Sequence, residues 1–425
     1  MSRVVGASGG AVHANGVAAS PLAAGERLVA LDVVRGFALL GILLMNVEFF
    51  LRPVQALVLG REQWPQAVDR AAGWLVATFV QGKFYILFAL LFGMGFAIQL
   101  ERWGRDGGPF AGRFLRRMAG LAAIGLLHAT LIWYGDILLS YALIGVALLA
   151  FRRTPARRLP AWGLALVVVP LLVGTALRWQ TGRSAERAHG EGAAAQARAE
   201  YLAGVRAGAA EAERVYRSGT PAEIQAQRVE DARLQFGFFP FFAPGVLGIF
   251  LLGAWFVRAG VVADPEAHAA LLRRLNRTGL ALGAPLAVAA MQLGADAGQA
   301  DVSPHALGGH VVMQAASLLL GLAYFAGLLR IARRPGWASR LAPVAAAGRM
   351  ALSNYLLQSI LVTALAYGWG LGLYGRIPRA SQLLLALAVW GVNLAVSHWW
   401  LARFRFGPAE WLWRSITYGR LAPAR

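Results

Sequence analysis

Nine stretches of this chain are apolar for long enough to cross a lipid bilayer, which takes about 17–25 residues per helix. They fall near 28–51, 72–100, 114–133, 160–177, 236–257, 278–295, 310–329, 342–369 and 381–402. A tenth, shorter run at 136–151 sits between two strong ones and opens on Asp136. The 425 residues are 58% hydrophobic and 15% charged. Soluble domains run nearer 45–50% apolar and about 25% charged, and could not hide this much apolar surface from water. The expected fold is an all-α polytopic membrane protein with about ten transmembrane helices over 28–402.

The net charge of +20 bears on orientation. With the N-terminus inside, eighteen of those excess charges fall on the inner segments, while the outer segments sum to +1. By the positive-inside rule both termini are cytoplasmic. The basicity then reads as a topology signal and a contact with anionic membrane lipids, not as a nucleic-acid footprint. Residues 1–27 are rich in Ala, Gly and Ser and lack an apolar signal core, so they read as a disordered cytoplasmic tail. Residues 403–425 read as a cytoplasmic interfacial tail. Segment 178–235 is the one large extramembrane piece, a periplasmic helical insertion with nine arginines against eight acids. Helices are expected at about 197–217 and 221–235, the second opened by a capping box in Thr220-Pro221-Ala222-Glu223. A solvated spacer and a lid over an outward-facing site are both open for it.

The chain has no cysteine, which excludes a disulfide framework, a thiolate metal site and a cysteine nucleophile. No span carries a His-x-x-x-His or Glu-x-x-His spacing, and there is no Walker-type phosphate loop. Neither a metal cofactor nor an ATP-driven pump is expected.

Ionisable residues inside spans cost about 2.5 kcal/mol or more each, so they mark candidate sites. In the first span Asp32 and Arg35 are three apart and share a face, and Arg35, Leu39, Ile42 and Asn46 continue one stripe toward the protein interior. Asp32 and Arg35 either lock the helix end as an ion pair or present Arg35 to an anionic donor. Glu48 follows near the outer end. The second span holds Lys83, the single lysine among forty arginines, in Gln81-Gly82-Lys83-Phe84-Tyr85. Lys83 either snorkels to the interface or serves a site together with Gln81. His128 lies in the third span, and Asp136 follows eight residues later beyond a Trp133-Tyr134-Gly135 turn. A carboxylate that orients a histidine is the arrangement of general-base catalysis; an interhelical hydrogen bond is the alternative. The ninth span opens Gly348-Arg349-Met350-Ala351-Leu352-Ser353-Asn354-Tyr355, with Gln358 and Ser359 beyond. So many polar groups line a helix seam or a cavity, not a lipid face. Asn393 and His398 in the tenth span are assigned to packing.

Six of these segments, in order, resemble the YeiB-like family, held as a domain of unknown function. They are Leu31-Asp32-x-x-Arg35-Gly36 with Asn46; Lys83-Phe84 through Gly93-x-Gly95; Gly125-Leu126-x-His128; Trp133-x-Gly135-Asp136; Gly348-Arg349-Met350-Ala351-Leu352-Ser353-Asn354-Tyr355; and Phe406-Gly407-Pro408-x-Glu410-Trp411. The match covers about residues 27–420. The Leu-Asp-x-x-Arg-Gly opening also resembles membrane-embedded acyltransferases, such as heparan-glucosaminide acetyltransferase relatives and sugar O-acyltransferases. Those carry their histidine near the first two spans, where this chain has none between His13 and His128. The resemblance implies a bacterial inner-membrane, multi-pass protein, a homodimer by analogy, that takes an acyl group from cytoplasmic acyl-CoA. On that reading His128 and Asp136 are catalytic, Arg35, Arg349, Asp32 and Asn354 hold the donor, and Asn46, Glu48, Lys83 and Gln81 meet the acceptor. A transporter or lipid-handling protein without acyl transfer is the competing expectation.

Overall fold

The computed structural model describes residues 24–60, 64–105, 110–334 and 336–422, all in helices and connecting turns. Most of the expected N-terminal tail and residues 423–425 lie outside the described residues. The chain enters with α1 (Ala24–Phe50), a short α2 (Ala56–Leu59), α3 (Ala67–Phe79), α4 (Lys83–Arg105) and α5 (Phe110–Leu131). A turn leads into α6 (Leu138–Ala147), extended by a 3-10 turn over Leu148–Phe151. Then come α7 (Leu159–His189), α8 (Glu191–Ser218) and α9 (Pro221–Gly237). The second half holds α10 (Phe239–Arg258), α11 (Ala269–Gln292), α12 (Pro304–Ile331), α13 (Trp337–Arg349), α14 (Ala351–Ala366), α15 (Arg379–Leu401) and α16 (Pro408–Tyr418).

Seven segments are long and apolar enough to cross a membrane: Val29–Phe50, Ala67–Trp103, Phe110–Leu131, Ala156–Ala185, Phe239–Arg258, Pro304–Ile331 and Arg379–Leu401. Leu138–Phe151 and Ala351–Ala366 are apolar but shorter. The protein is an all-α polytopic membrane protein. α11, the expected span at 278–295, starts earlier and carries Arg273, Arg274 and Arg277 in its first half, so only its second half is apolar. Enclosure separates centre from rim. The apolar window of α1 is 61% buried and that of the Ala156–Ala185 segment 11%, which puts α1 at the centre and α7 on the periphery.

Two expected spans are interrupted. The run at 72–100 turns over residues 80–82, where Gly82 takes φ 83°. α4 has 23 residues, about 34 Å, long enough to cross alone. α3 buries Asp69, Ala72, Gly73 and Val76 on one stripe and packs on α15 and α11. A hydropathy window sums composition, so a turn inside a uniformly apolar run leaves no mark in it. The run at 342–369 breaks at Met350 (φ −105°, ψ 34°) between α13 and α14. α13 crosses α1 with backbones in contact: a methyl on Gly36 would strike the Val344 carbonyl, and one on Gly348 the Asp32 carbonyl. Small residues allow this approach where lipid supplies no hydrophobic drive between helices.

The insertion continues α7 out to His189 before α8 and α9 fold back. Its capping box forms as expected, with Thr220 Oγ1 accepting from the Glu223 amide and Glu223 Oε2 from the Thr220 amide at 2.7 Å. Its second helix, α9, is docked on the bundle. Arg228 Nη1 donates to the Leu131 and Thr130 carbonyls at 2.9 and 3.2 Å, and Gln225 Nε2 to the Thr130 carbonyl at 2.8 Å. These are the open carbonyls at the C-terminus of α5, where a cation is favoured. The enclosed Asp231 accepts from the Tyr216 hydroxyl at 2.7 Å and Gln227 Nε2 at 3.0 Å, and Tyr216 stacks on Tyr367 at 4.7 Å. Burial pushes the Asp231 carboxyl up to about 6, against the pull of those hydrogen bonds. α8 and α9 mark one end of the bundle, the insertion end; α16 marks the α16 end.

Candidate functional site

His128 and Asp136 meet. His128 lies in the last turns of α5, Asp136 two residues before α6, and their Nδ1 and Oδ2 atoms are 2.8 Å apart. Both side chains are enclosed, at 1% and 2% exposure. In the neutral imidazole with Asp136 ionised, Nδ1 donates to the carboxylate and Nε2 presents its lone pair. Nε2, although buried, has no hydrogen-bond partner among the described residues. The second oxygen of Asp136 accepts the Leu139 amide at 2.8 Å and so ties down the start of α6. Gly125, one turn before His128, makes room for this: a methyl there would strike the Leu139 amide and the Asp136 carboxylate.

The turn between them is fixed from outside. Trp133 Nε1 donates to the Phe49 carbonyl at 3.4 Å, and the Tyr134 hydroxyl to the Phe49 and Arg52 carbonyls at 3.0 and 3.1 Å. These aromatics therefore close the C-terminus of α1. The Trp133 ring also packs on Phe50 at 4.0 Å. Leu138–Phe151 is only about 20 Å long, short of the ~30 Å hydrocarbon core. The turn is thus sunk into the molecule, with Gln225 and Arg228 of α9 closing the neighbouring end of α5. From α14, the Tyr355 ring lies 5.1 Å from His128, and its buried hydroxyl makes no hydrogen bond of normal geometry.

The break at Met350 exposes the first amides of α14. Glu410 of α16 takes them: Oε1 accepts from the Leu352 and Ser353 amides at 2.6 and 3.1 Å, and Oε2 from the Ser353 hydroxyl at 2.5 Å. Ser353 Oγ in turn accepts the Ala409 amide at 3.1 Å, so two helix starts cap each other. Sequence spacing placed Arg349 and Ser353 on one helix; the break parts them. Asn354 is fully buried and donates to the Ala347 carbonyl at 3.0 Å and Ser397 Oγ at 2.8 Å. It bolts the break to α15. Tyr355, Gln358 and Ser359 are buried beside it, so the polar stretch forms a seam. Asn393 is buried too, whereas His398 is exposed. Arg349 is exposed and lines an open cleft of about 450 Å³ with Arg403, Phe404, Arg405 and Phe406.

The remaining expected residues separate into two groups. Leu39, Ile42 and Asn46 are buried as the stripe predicted, and Arg35, 32% exposed, donates to Asp32 at 2.5 Å and to the Gly348 carbonyl at 3.5 Å. The Asp–Arg pair thus locks the α1–α13 crossing. Glu48 is clamped between Arg52 at 2.7 Å and Arg379 at 3.2 Å. Arg379 was legible only as a charge in an outer loop; its 1% exposure is a consequence of the fold. Lys83 does not snorkel. It is fully buried, with Nζ 3.3 Å from the Ala77 carbonyl and 3.1 Å from Met313 Sδ. It pairs with no acid among the described residues. Gln81, in the α3–α4 turn, is exposed. Among the described residues no group of three or more His, Asp or Glu side chains gathers as a metal site.

Comparison with known proteins places this architecture. A family model described as "Protein of unknown function (DUF418)" matches residues 256–420. The uncharacterized protein YxaH of Bacillus subtilis (strain 168) is 33% identical over 422 residues, covering 94% of this chain and 96% of that protein. The uncharacterized protein YeiB of Escherichia coli (strain K12) is 32% identical over 419 residues, covering 94% and 98%. An uncharacterized 39.9 kDa protein from the amylase 3' region of Bacillus acidopullulyticus is 29% identical over 405 residues. No solved structure matches. The chain belongs to the YeiB-like family of membrane proteins, the domain of unknown function DUF418.

Proposed function

We propose that the protein is a membrane-embedded acyltransferase of the bacterial inner membrane, passing an acyl group from cytoplasmic acyl-CoA to a hydroxyl or amine on the outer side. The observation that carries this reading is the His128–Asp136 pair, an enclosed imidazole oriented through Nδ1 with Nε2 left unpartnered. A buried acceptor atom without a partner is costly, and a ligand proton would satisfy it. In the transfer, Nε2 takes the proton of the acceptor as its oxygen or nitrogen attacks the thioester carbonyl. The new acyl bond forms, the C–S bond breaks, and the CoA thiolate recovers the proton from His128. Arg349, Arg403 and Arg405 fit the donor phosphates at the α16 end, and α14 leads from them to His128. Arg35 and Asp32 support that face through the α1–α13 crossing instead of contacting the donor.

The test uses purified protein in nanodiscs with acyl-CoA donors and a thiol-reactive dye. The chain has no cysteine, so any signal is released CoA. Acyl-CoA is expected to raise the melting temperature and, with acceptor present, to release thiol. Neither effect with short or long acyl donors would sink the reading. A transporter would move its substrate with no thiol release. Orientation is checked separately: a reporter after residue 205 should be periplasmic and one after residue 336 cytoplasmic, as the charge split requires.

A further inference from the structure

The seam between α14 and α15 holds amide groups that the fold leaves unpaired. Asn354, Gln358, Asn393 and Ser397 are each at most 2% exposed. Asn354 Nδ2 donates to Ser397 Oγ at 2.8 Å, which joins the buried stripes of the two helices. It also donates to the Ala347 carbonyl at 3.0 Å, and a carbonyl only accepts, so the direction of this amide is fixed. Asn354 Oδ1 is then left without a partner among the described residues, as are Gln358 Nε2 and both Oδ1 and Nδ2 of Asn393. Gln358 follows Asn354 by one turn, and Asn393 precedes Ser397 by one turn. Two of the four orphaned atoms accept and two donate. Residues 351–366 and 382–397 contain no Asp, Glu, Lys, Arg or His, so the seam is uncharged. Its ends are defined. On α15, Asn393, Ser397 and Leu401 recur every fourth residue, and Leu401 lines the cleft that holds Arg349, Arg403 and Arg405. From Leu401 to Asn393 the helix is unbroken and runs about 12 Å. On α14, Tyr355 follows Asn354, and its ring lies 5.1 Å from His128.

We infer that this seam binds an uncharged ligand segment built of amides, and that in the proposed acyl transfer this segment is the pantetheine arm of the donor. An amide offers one N–H and one C=O, so a pair of them meets the free donors and acceptors of the seam with none left over. A carboxylate or phosphate would bring a charge into a stripe that has no counter-charge. A hydrocarbon chain would leave all the orphaned atoms unpaired. The ligand that fits both the seam and its open end has an anionic head for the arginines of the cleft and a neutral, amide-bearing stem. Coenzyme A is built in that order, with a pair of amides between its phosphates and its sulfur. The name of the ligand rests on the acyltransferase reading; the amide chemistry of the seam does not.

The experiment titrates coenzyme A, adenosine 3′,5′-bisphosphate and pantetheine into the full chain in phosphatidylcholine nanodiscs by calorimetry, and reads the melting temperature of each unliganded variant. Coenzyme A should bind roughly 10-fold or more tightly than the bisphosphate, which has the nucleotide end and no arm. Asn393→Leu keeps the branching and Gln358→Met the length of the side chain, and both remove its polar atoms. Each should lose roughly 10-fold in affinity for coenzyme A and nothing for the bisphosphate. The atoms removed have no partner, so neither variant should melt below wild type. If one variant folds poorly, the other carries the test. A melting temperature several degrees lower in both would mean that internal water satisfies the amides, and overturns the inference. Equal affinity of wild type and both variants for coenzyme A also overturns it and leaves the acyltransferase reading intact. Failure of coenzyme A and the bisphosphate to bind wild type sinks that reading instead. The seam is then judged by pantetheine alone: binding to wild type and not to Asn393→Leu supports it, and no binding overturns it.

Discussion

Asp136 and Glu410 do the same local job at two places in the bundle. Each is a carboxylate that accepts from the first turn of a helix starting inside the protein, one amide of α6 for Asp136 and two of α14 for Glu410. They differ in where the second oxygen goes. Glu410 spends it on the Ser353 hydroxyl, which is itself satisfied by the Ala409 amide, so the arrangement closes on itself. Asp136 spends it on His128, whose far nitrogen has nothing to bond to. A closed hydrogen-bond network fixes structure. An open one, held just as firmly, leaves a base with a free lone pair. The difference lies in one partner, not in the capping chemistry.

The comparison breaks most visibly at His128. As a general base it supports about 10²–10⁴-fold of rate, so His128→Ala should cut thiol release by that factor while donor-induced stabilisation survives. Asp136→Asn should lose less, since it disturbs orientation without removing the base. His128→Gln decides between the two roles. A stable and active Gln variant would make the pair a structural hydrogen bond and erase the contrast with Glu410.

Glu410 should show the opposite profile. Glu410→Ala leaves the Leu352 and Ser353 amides without their acceptor, at about 2–6 kcal/mol for the two. Glu410→Gln keeps one acceptor oxygen and should cost about 1 kcal/mol. Both are read as melting temperature, with donor binding at Arg349 falling in step with folded fraction. A Glu410→Gln protein of wild-type stability but greatly reduced turnover would place Glu410 in the chemistry and end the distinction.

What the sequence could reveal follows the same line. The His128–Asp136 pair was legible because both residues lie on one hairpin, eight positions apart across a turn. The capping box of α9 was legible for the same local reason. Glu410 was visible only as part of a motif, because its partners are 57 and 58 residues away and nothing local joins them. The Met350 break carries no Gly or Pro of its own to announce it, so Arg349 and Ser353 read as one helix face. Arg379 looked like an outer-loop charge, and only the folding of α1 against the start of α15 encloses it with Glu48. Apolar runs gave the membrane class and nearly all the helices; they could not give the turns inside runs.

Asp231 extends the comparison to a third enclosed carboxylate, in α9 of the insertion. Burial raises it from the usual 3.8 to about 6, so the folded protein holds this proton more tightly than the unfolded chain does. Its contribution is fully present below about pH 4 and is lost as pH rises toward 6. At 1.36 kcal/mol per unit the loss is roughly 3 kcal/mol. Asp231→Asn keeps an acceptor for Tyr216 and cannot ionise. It should flatten the stability slope between pH 4 and 6 and raise the melting temperature at pH 7.5. An unchanged slope in the Asn variant would show that Asp231 is not the group responsible.

The smallest effect is expected at Lys83, the converse case: an enclosed cation with no carboxylate. Its Nζ meets one carbonyl and one thioether, so little electrostatic gain offsets the desolvation of the charge. Lys83→Met matches its length and apolar stem and removes the charge. The melting temperature should stay level or rise by a few degrees, a change of about 1 kcal/mol or less favouring the variant. A cost retained without structural return points to function, so turnover should fall while stability does not. Were Lys83→Met instead clearly destabilised, Lys83 would belong with Glu410 among the groups that hold helix starts in place. The open His128 nitrogen would then be the one buried polar group of this contrast left without a structural role.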